Sequence, residues 1–235
     1  AQAMLLAHGQ IDRREWSVFC AAMEPYFQPG VVGLGFVERV LREQIPTLEQ
    51  RIRAEGVSNF SAGRDGTEPD AFIVTLIEPL ERNASVLGLD LGAGQTRRRA
   101  AEEAMGTGRM VLSHRIQVID GEEMSPGFLL FQAVYREGAL RGWVYASLRL
   151  EDLLRDIPEL ADGSMQFRIQ EVRTTGVTLL WPTGAVAKDA HSSTIFRTEI
   201  PLALHGRQWV LQAETGAAAG SFTSRALPLA VLGGG

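Results

Sequence analysis

Val31–Val40, VVGLGFVERV, is the stretch that decides the fold. Its β-branched residues and the closely spaced Gly33 and Gly35 read as a strand. Upstream, Met4, Ile11 and Val18 recur every seven residues, with Trp16, Phe19 and Met23 on an adjoining face and Pro25 ending the run. That pattern predicts a helix over 4–23 with two apolar sides. It can pack on its own domain or against a twin helix in a dimer, and periodicity does not choose between them.

Downstream, Thr47 and Gln50 form a capping-box pair after Pro46, Leu48 and Ile52 share a side, and Gly56 is a terminator. Residues 63–70 read as loop. Phe72–Leu80 is a buried-strand candidate ending near Pro79, and Leu87–Gln95 is glycine-rich. Thr96 is the expected cap of a short helix, Arg97–Met105, closed by Gly106 and Gly108. Three strand-like runs follow, Met110–Ile119, Phe128–Tyr135 and Arg141–Leu150, with Gly in each break, predicting an antiparallel meander. Asp152 is the expected cap of a connector helix that stops at Pro158. A smaller β unit comes next: alternating Met165, Phe167 and Ile169, then Val177–Trp181, then Ile200–Leu204 joined to Gln208–Ala213 across His205-Gly206. The fold class is therefore α+β in two units.

The 235 residues are enough for a large domain or two small ones. A net charge of −5 gives no basic field to draw a phosphate backbone, so nucleic acid is a poor partner. Cys20, the only cysteine, excludes an internal disulfide and any multi-cysteine metal site, and burial in a helix face suits it better than pairing between chains. No run of 18 apolar residues spans a bilayer, and no signal-peptide pattern is present. The tail ALPLAVLGGG, 226–235, after Arg225, reads as the beginning of a membrane span.

Signals for catalysis are weak. His8, His114, His191 and His205 are scattered, no metal set forms, and no nucleophile elbow is present, so neither metal nor cofactor is expected. Asp90–Thr96, DLGAGQT, is similar to the first phosphate loop of sugar-kinase and actin-like ATPases, where glycines admit phosphate and the Asp serves the metal. The competing reading is a loop running into a Thr-capped helix. Arg97, Arg98 and Arg99 pose a sharper question. As cations at a helix N-terminus they oppose the dipole, and an anionic ligand or a carboxylate across the fold would justify them. Otherwise they are a wet face paired with Glu102 and Glu103.

Taken in order, PGVVGLGFVERV (29–40), GLD at Gly88–Asp90, Arg98, Ala104, Thr107-Gly108, Ser113, PGFLLFQAVY at Pro126–Tyr135 and RGWVYASLRLEDLL at Arg141–Leu154 resemble the CHASE domain. That domain is the extracytoplasmic sensor of bacterial histidine kinases, diguanylate cyclases and plant cytokinin receptors. The resemblance implies a stalk helix (1–25), a larger membrane-distal PAS-like domain that holds the ligand (26–150), a connector helix (151–160) and a smaller membrane-proximal PAS-like domain (161–224). Residues 225–235 then begin a membrane segment or form a tail.

It also implies a membrane-anchored homodimer, with no catalytic residues in this segment, that senses a small molecule from the periplasmic side. The implied pocket contains Phe36, Arg97, Ser113, Phe131, Ala133, Gly142 and Trp143. In the plant receptors an acidic residue grips adenine where this chain has Arg97, and a threonine stands where it has Phe131. Ser113 replaces another threonine of that pocket, and Trp143 a tyrosine. Two polar groups that hold cytokinin are thus replaced here, one with reversal of charge. Cytokinin is not the expected ligand, and an acidic or polar small molecule is. The rival readings are a ligand-free periplasmic interaction domain and a phosphate-handling enzyme using Asp90–Thr96.

Overall fold

In a computed structural model of the chain, the residues described are 12–27, 30–155, 165–182 and 194–216. Two compact units result, Ala1–Arg155 with Ala203–Gln208, and Asp156–Leu202 with Trp209–Gly235. Secondary structure is α+β, and every strand pairing detailed below is antiparallel.

The first unit is built on six strands: β1 (Val31–Leu41), β2 (Asp70–Glu78), β3 (Val111–Leu112), β4 (Ile116–Asp120), β5 (Glu123–Arg136) and β6 (Ala139–Arg149). Their order is β2-β1-β6-β5-β3, with β4 also paired to β5. β1 thus joins β2 to β6, while β5 joins β6 to the two short strands. The run expected to be a single strand from Met110 to Ile119 is two. Ser113 ends the first piece: its amide donates to Leu129 O (2.7 Å) and its hydroxyl accepts from Leu129 N (3.0 Å), so a side chain takes over a ladder position. Between β5 and β6, Glu137 and Gly138 both have positive φ (51° and 79°), the requirement of a tight two-residue hairpin.

Strand alternation gives this sheet two faces. On one, Val37, Phe72, Val74, Ile77, Leu129, Phe131, Ala133, Trp143 and Tyr145 meet Ala100, Ala101 and Ala104 of a helix, Gln95–Thr107. On the other, Phe36, Leu76, Val134 and Val144 pack against Trp16 and Cys20. Those two residues belong to α1 (Arg13–Met23), capped by Asp12, whose carboxylate accepts from the Arg14 and Glu15 amides. Val18, on the heptad side, is 64% exposed, while Trp16 is buried on its own unit. Met4 and Ile11 of the expected longer helix lie outside the described residues, as does the tail 226–235. Burial and the charge of Glu78 raise the Cys20 thiol to about 12, leaving it protonated at neutral pH.

Three expected caps differ from those observed. Helix α2 (Ile45–Ala54) starts straight from a 3-10 turn, Arg42–Gln44, so Thr47 falls in its first turn and Pro46 occupies a position where its missing N–H is harmless. After the short α3 (Leu80–Asn83), α4 (Gln95–Thr107) grows from a 3-10 turn at Leu91–Ala93, which puts Thr96 inside the helix and makes Gly94 the cap. Gly108 closes α4 in the left-handed region, as its sequence position predicts. In α5 (Leu150–Leu153) Asp152 is internal and accepts instead from Arg149 (2.5 Å) and Arg155.

The second unit is a sheet of β7 (Met165–Arg173), β8 (Gly176–Pro182), β9 (Thr194–Leu204) and β10 (Arg207–Gly216) in the order β8-β7-β10-β9. β7 and β8 pair antiparallel. Ile169, Leu180, Trp209 and Ala213 are buried in it. His205 and Gly206, at φ 43° and 84°, make the expected tight turn between β9 and β10. Among the described residues, no helix is long and apolar enough to cross a membrane.

Gly33 and Gly35 explain the spacing in the opening strand. A Cβ on Gly35 would lie 2.5 Å from Tyr145 Cε1 and 2.6 Å from Leu76 O; one on Gly33 would sit 3.1 Å from Ile77 Cδ1 and 3.3 Å from Asn83 Oδ1. The bare positions let the Tyr145 ring lie across β1. Gly35→Ala meets backbone as well as ring, so it is expected to lower unfolding free energy by about 1–3 kcal/mol in chemical denaturation. An unchanged midpoint would show that the Tyr145 ring is not fixed there.

Candidate functional site

Asp90, the carboxylate of the phosphate-loop-like segment, is 2% exposed and has a structural task. Its Oδ1 accepts from the Phe72 and Gly92 amides (2.9 and 2.8 Å), and its Oδ2 accepts from Arg42 (2.8 Å). It stitches the turn before α4 to β2, and neither oxygen faces open space for a metal. Among the described residues, no group of three His, Cys, Asp or Glu side chains is placed to hold a metal ion.

The arginines that follow have divergent roles. Arg98 turns into the protein: its guanidinium donates to Asp70 Oδ1 (2.9 Å), Asp70 O (2.8 Å), Gly92 O (2.9 Å) and Glu102 (3.3 Å), and stands 4.1 Å from the Phe72 ring centroid. Burial raises the Asp70 carboxyl, but the hydrogen bonds and charges of Arg39 and Arg98 outweigh it and hold the pKa below the usual carboxylate range. Arg99 is exposed. Arg97 is half-buried, and its only hydrogen bond among the described residues runs from Nε to Leu91 O (3.3 Å). Burial lowers its pKa and the Asp90 charge partly opposes that. No carboxylate of the described residues forms an ion pair with it, whereas Asp90 is already paired with Arg42.

Arg97 borders a cavity of about 220 Å³ against the α4-bearing face of the sheet. Ile77, Val86, Leu89, Leu91 and Leu129 supply apolar wall, and β4 contributes Ile116 through Ile119 on the outer side. The remaining polar lining is Asn83, Gln117, Tyr145 and Ser147, with no carboxylate. Asn83 donates both amide hydrogens, to Val32 O (3.1 Å) and Pro79 O (2.9 Å), which fixes its orientation. Tyr145 is buried, its hydroxyl has no partner among the described residues, and burial pushes the phenol upward, so it remains a proton donor.

The outer wall is anchored. Asp120, ending β4, accepts from Arg82 of α3 (2.6 Å) and from Arg149 (3.1 Å) at the end of β6, and Gly121 N donates to Arg82 O (2.9 Å). Met124, on the rim, is 66% exposed. Two wider clefts flank α1. In the one of about 760 Å³, Arg13, Arg14 and Arg51 face Asp12, Glu55, Glu78 and Glu81, so no positive charge is left in excess. The other, about 360 Å³, lies between α1 and the start of β1.

Of the residues expected in the pocket, Arg97 alone lines this cavity. Phe131, Ala133 and Trp143 share its face of the sheet but lie in the core: Trp143 Nε1 donates to Ala101 O (2.7 Å) and its ring is 4.6 Å from Phe72. Ser113 holds the β3 break, its hydroxyl donating to His114 O (2.8 Å). Gly142, at φ 144°, passes so close to the Val37 carbonyl that a Cβ would collide with it. Phe36 is on the opposite face, with Trp16. Tyr145 and Ser147 were legible by alternation from Trp143; Gln117 and Asn83 carried no sequence signal.

The site is thus a partly polar hollow at the start of α4, set in an antiparallel sheet of an α+β domain. The chain belongs to the CHASE domain family, whose profile matches residues 9–180. Similar folds occur in an extracellular ligand binding receptor from Desulfohalobium retbaense DSM5692, with TM-score 0.59 and 14% identity over 92% of this chain and 35% of that one. This chain thus spans about a third of that receptor.

The periplasmic sensory domain of the Campylobacter jejuni chemoreceptor Tlp1 gives TM-score 0.54 at 6% identity, over 92% of this chain and 84% of its own. The ligand-binding domain of the Pseudomonas aeruginosa PAO1 amino acid chemoreceptor PctC, in complex with GABA, gives 0.50 at 14% identity, over 90% and 85%. At these identities the likeness is one of fold. No curated protein matches the chain. Membership of that family makes it an extracytoplasmic sensory domain.

Trp143 and Tyr145 offer a contrast that tests the cavity wall. Tyr145→Phe removes an unbonded buried hydroxyl and is expected to leave stability unchanged or raised, while Trp143→Phe loses a buried hydrogen bond and costs at least about 1 kcal/mol. Thermal or urea unfolding measures both; a Tyr145→Phe loss of similar size would mean the hydroxyl has a protein partner.

Proposed function

We propose that this chain is the ligand-sensing segment of a membrane-anchored signalling receptor of histidine kinase or diguanylate cyclase type, and that a small anionic molecule in the cavity at the start of α4 is its signal. One observation carries this reading: an unpaired, half-buried Arg97 beside an otherwise mostly apolar space whose lining includes Tyr145, a residue with a buried and unbonded hydroxyl. A desolvated cation and an unbonded donor both cost stability unless something completes them. A bound anion does so. A ligand-free interaction domain has no need of that space, and a phosphate-handling enzyme would need an Asp90 that was not already bonded.

On this reading the first unit, with its β2-β1-β6-β5-β3 sheet, is the membrane-distal PAS-like domain, and the four-stranded unit is the smaller, membrane-proximal one. The expected stalk (1–25) and connector (151–160) lie partly outside the described residues, and the expected membrane segment or tail (225–235) wholly so. The exposed Val18 side of α1 suits a twin helix in a homodimer. This segment itself is not an enzyme; the catalytic output lies in the cytoplasm. Phe131, Ala133, Gly142, Trp143, Ser113 and Phe36 act through the shape of the sheet that backs the cavity.

A ligand signals only by binding one arrangement better than another. The cavity wall offers a route: β4 ends at Asp120, Asp120 pairs with Arg149, and Arg149 pairs with Asp152 of α5, immediately before the second unit in sequence. A ligand that displaces β4 alters the first of these pairs.

The experiment is a thermal-shift screen of organic acids, nucleobases and amino acids against wild type and Arg97→Ala. A compound at 100 times its dissociation constant should add about 2.7 kcal/mol to wild type, and an anionic hit should do far less to the variant. No response from any compound, or an equal response from Arg97→Ala to an anion, contradicts the reading.

A further inference from the structure

The cavity's polar groups are unevenly matched. Arg97 offers positive charge, and the one nearby carboxylate, Asp90, is already bound by Arg42 and two backbone amides, so the region keeps an excess of one cation. Tyr145 is in the lining, and its buried hydroxyl has no partner among the described residues. Nothing in the lining offers a negative charge: the residues are apolar apart from Asn83, Arg97, Gln117, Tyr145 and Ser147. An ammonium group placed here would be desolvated beside a guanidinium with no carboxylate to receive it, which is the costly arrangement for a buried charge.

We infer that the ligand is a small carboxylic acid without an amine, carrying an apolar body and a second oxygen acceptor, such as a 2-oxo, 2-hydroxy or hydroxyaryl acid, with Arg97 holding the carboxylate and Tyr145 donating to the other oxygen. This rests on the proposed sensing role of the same cavity. It sets this chain apart in ligand chemistry from the amino acid chemoreceptors whose fold it shares. Tyr145 is the specificity-determining residue, because a site built around a buried donor rejects a ligand that cannot accept from it. The apolar wall from Ile77, Val86, Leu129 and β4 takes the body.

Matched probes test it by calorimetry on the whole chain: 4-methyl-2-oxopentanoate against leucine, which share carbon skeleton and carboxylate and differ by oxo oxygen or ammonium, and 4-hydroxybenzoate against benzoate. GABA serves as a second amine. The oxo acid or the hydroxybenzoate should bind at least tenfold more tightly than its matched partner. Tyr145→Phe, which keeps the ring over Gly35, should erase that preference while leaving the weaker partner's affinity as it was. Arg97→Ala should abolish binding of all the acids.

Leucine or GABA binding as tightly as the oxo acid, with loss in Arg97→Ala, overturns the ligand class and leaves the sensing cavity standing. So does an acid preference that survives Tyr145→Phe unchanged. Silence from every probe in both wild type and variants overturns the inference, and the sensing role of the cavity then stands or falls with the thermal-shift screen.

Discussion

The ion pair between Arg98 and Asp70 organises the first unit. Its guanidinium reaches across from the first turns of α4 to the first residue of β2, gathers the Gly92 carbonyl of the preceding turn, and rests on Phe72. A buried pair of this kind is weak evidence of net stability, but losing either partner strands a charge and is costly. Its structural result is orientation. With Arg98 held inward, the neighbouring Arg97 is turned about 100° around the helix, toward the cavity and away from Asp70. Asp90 reinforces the arrangement by fixing the approach to α4 through Phe72 N and Gly92 N. The conflict between three arginines and a helix N-terminus is thus resolved separately for each: one is buried and paired, one is exposed, and one lines a cavity without a carboxylate.

Much of the fold was legible in the sequence because it rests on local rules. Apolar and β-branched runs bounded by Gly and Pro placed β1, β2, β5 and β6 to within about five residues, glycines marked the hairpins at Gly138 and Gly206, and Gly108 ended α4 where a left-handed residue was needed. The misplaced caps share a cause. Thr47 and Thr96 have the right chemistry for a cap, but short 3-10 turns feed each helix from upstream and start it earlier than the polar residue suggests. The break at Ser113 was missed because it depends on a hydroxyl standing in for a ladder hydrogen bond to Leu129, sixteen residues away.

The cavity was less legible than the fold. Arg97 stood out by a clash of sign with the helix dipole, a local signal. The residues beside it do not form a motif: Asn83 comes from a short helix after Pro79, Gln117 from a five-residue strand, and Tyr145 from the middle of a hydrophobic strand where any aromatic would read as core. The residues carried over from the family's order, such as Trp143 and Phe131, lie in the core against α4, and this chain uses them to seat that helix. Gly33 and Gly35 were visible as strand glycines, while their reason, room for the Tyr145 ring and for Asn83, exists only once β6, β1 and β2 are side by side.

Binding at the start of α4 has a direct local readout in amide hydrogen exchange of the intact chain, with and without saturating 4-methyl-2-oxopentanoate. Slower exchange should be concentrated in β4, in the turn Leu91–Ala93 and at the start of α4, and it should vanish in Arg97→Ala. Protection centred instead on α1 and its flanking clefts, or no change at β4 and α4 under saturating ligand, contradicts the placement of the sensing site.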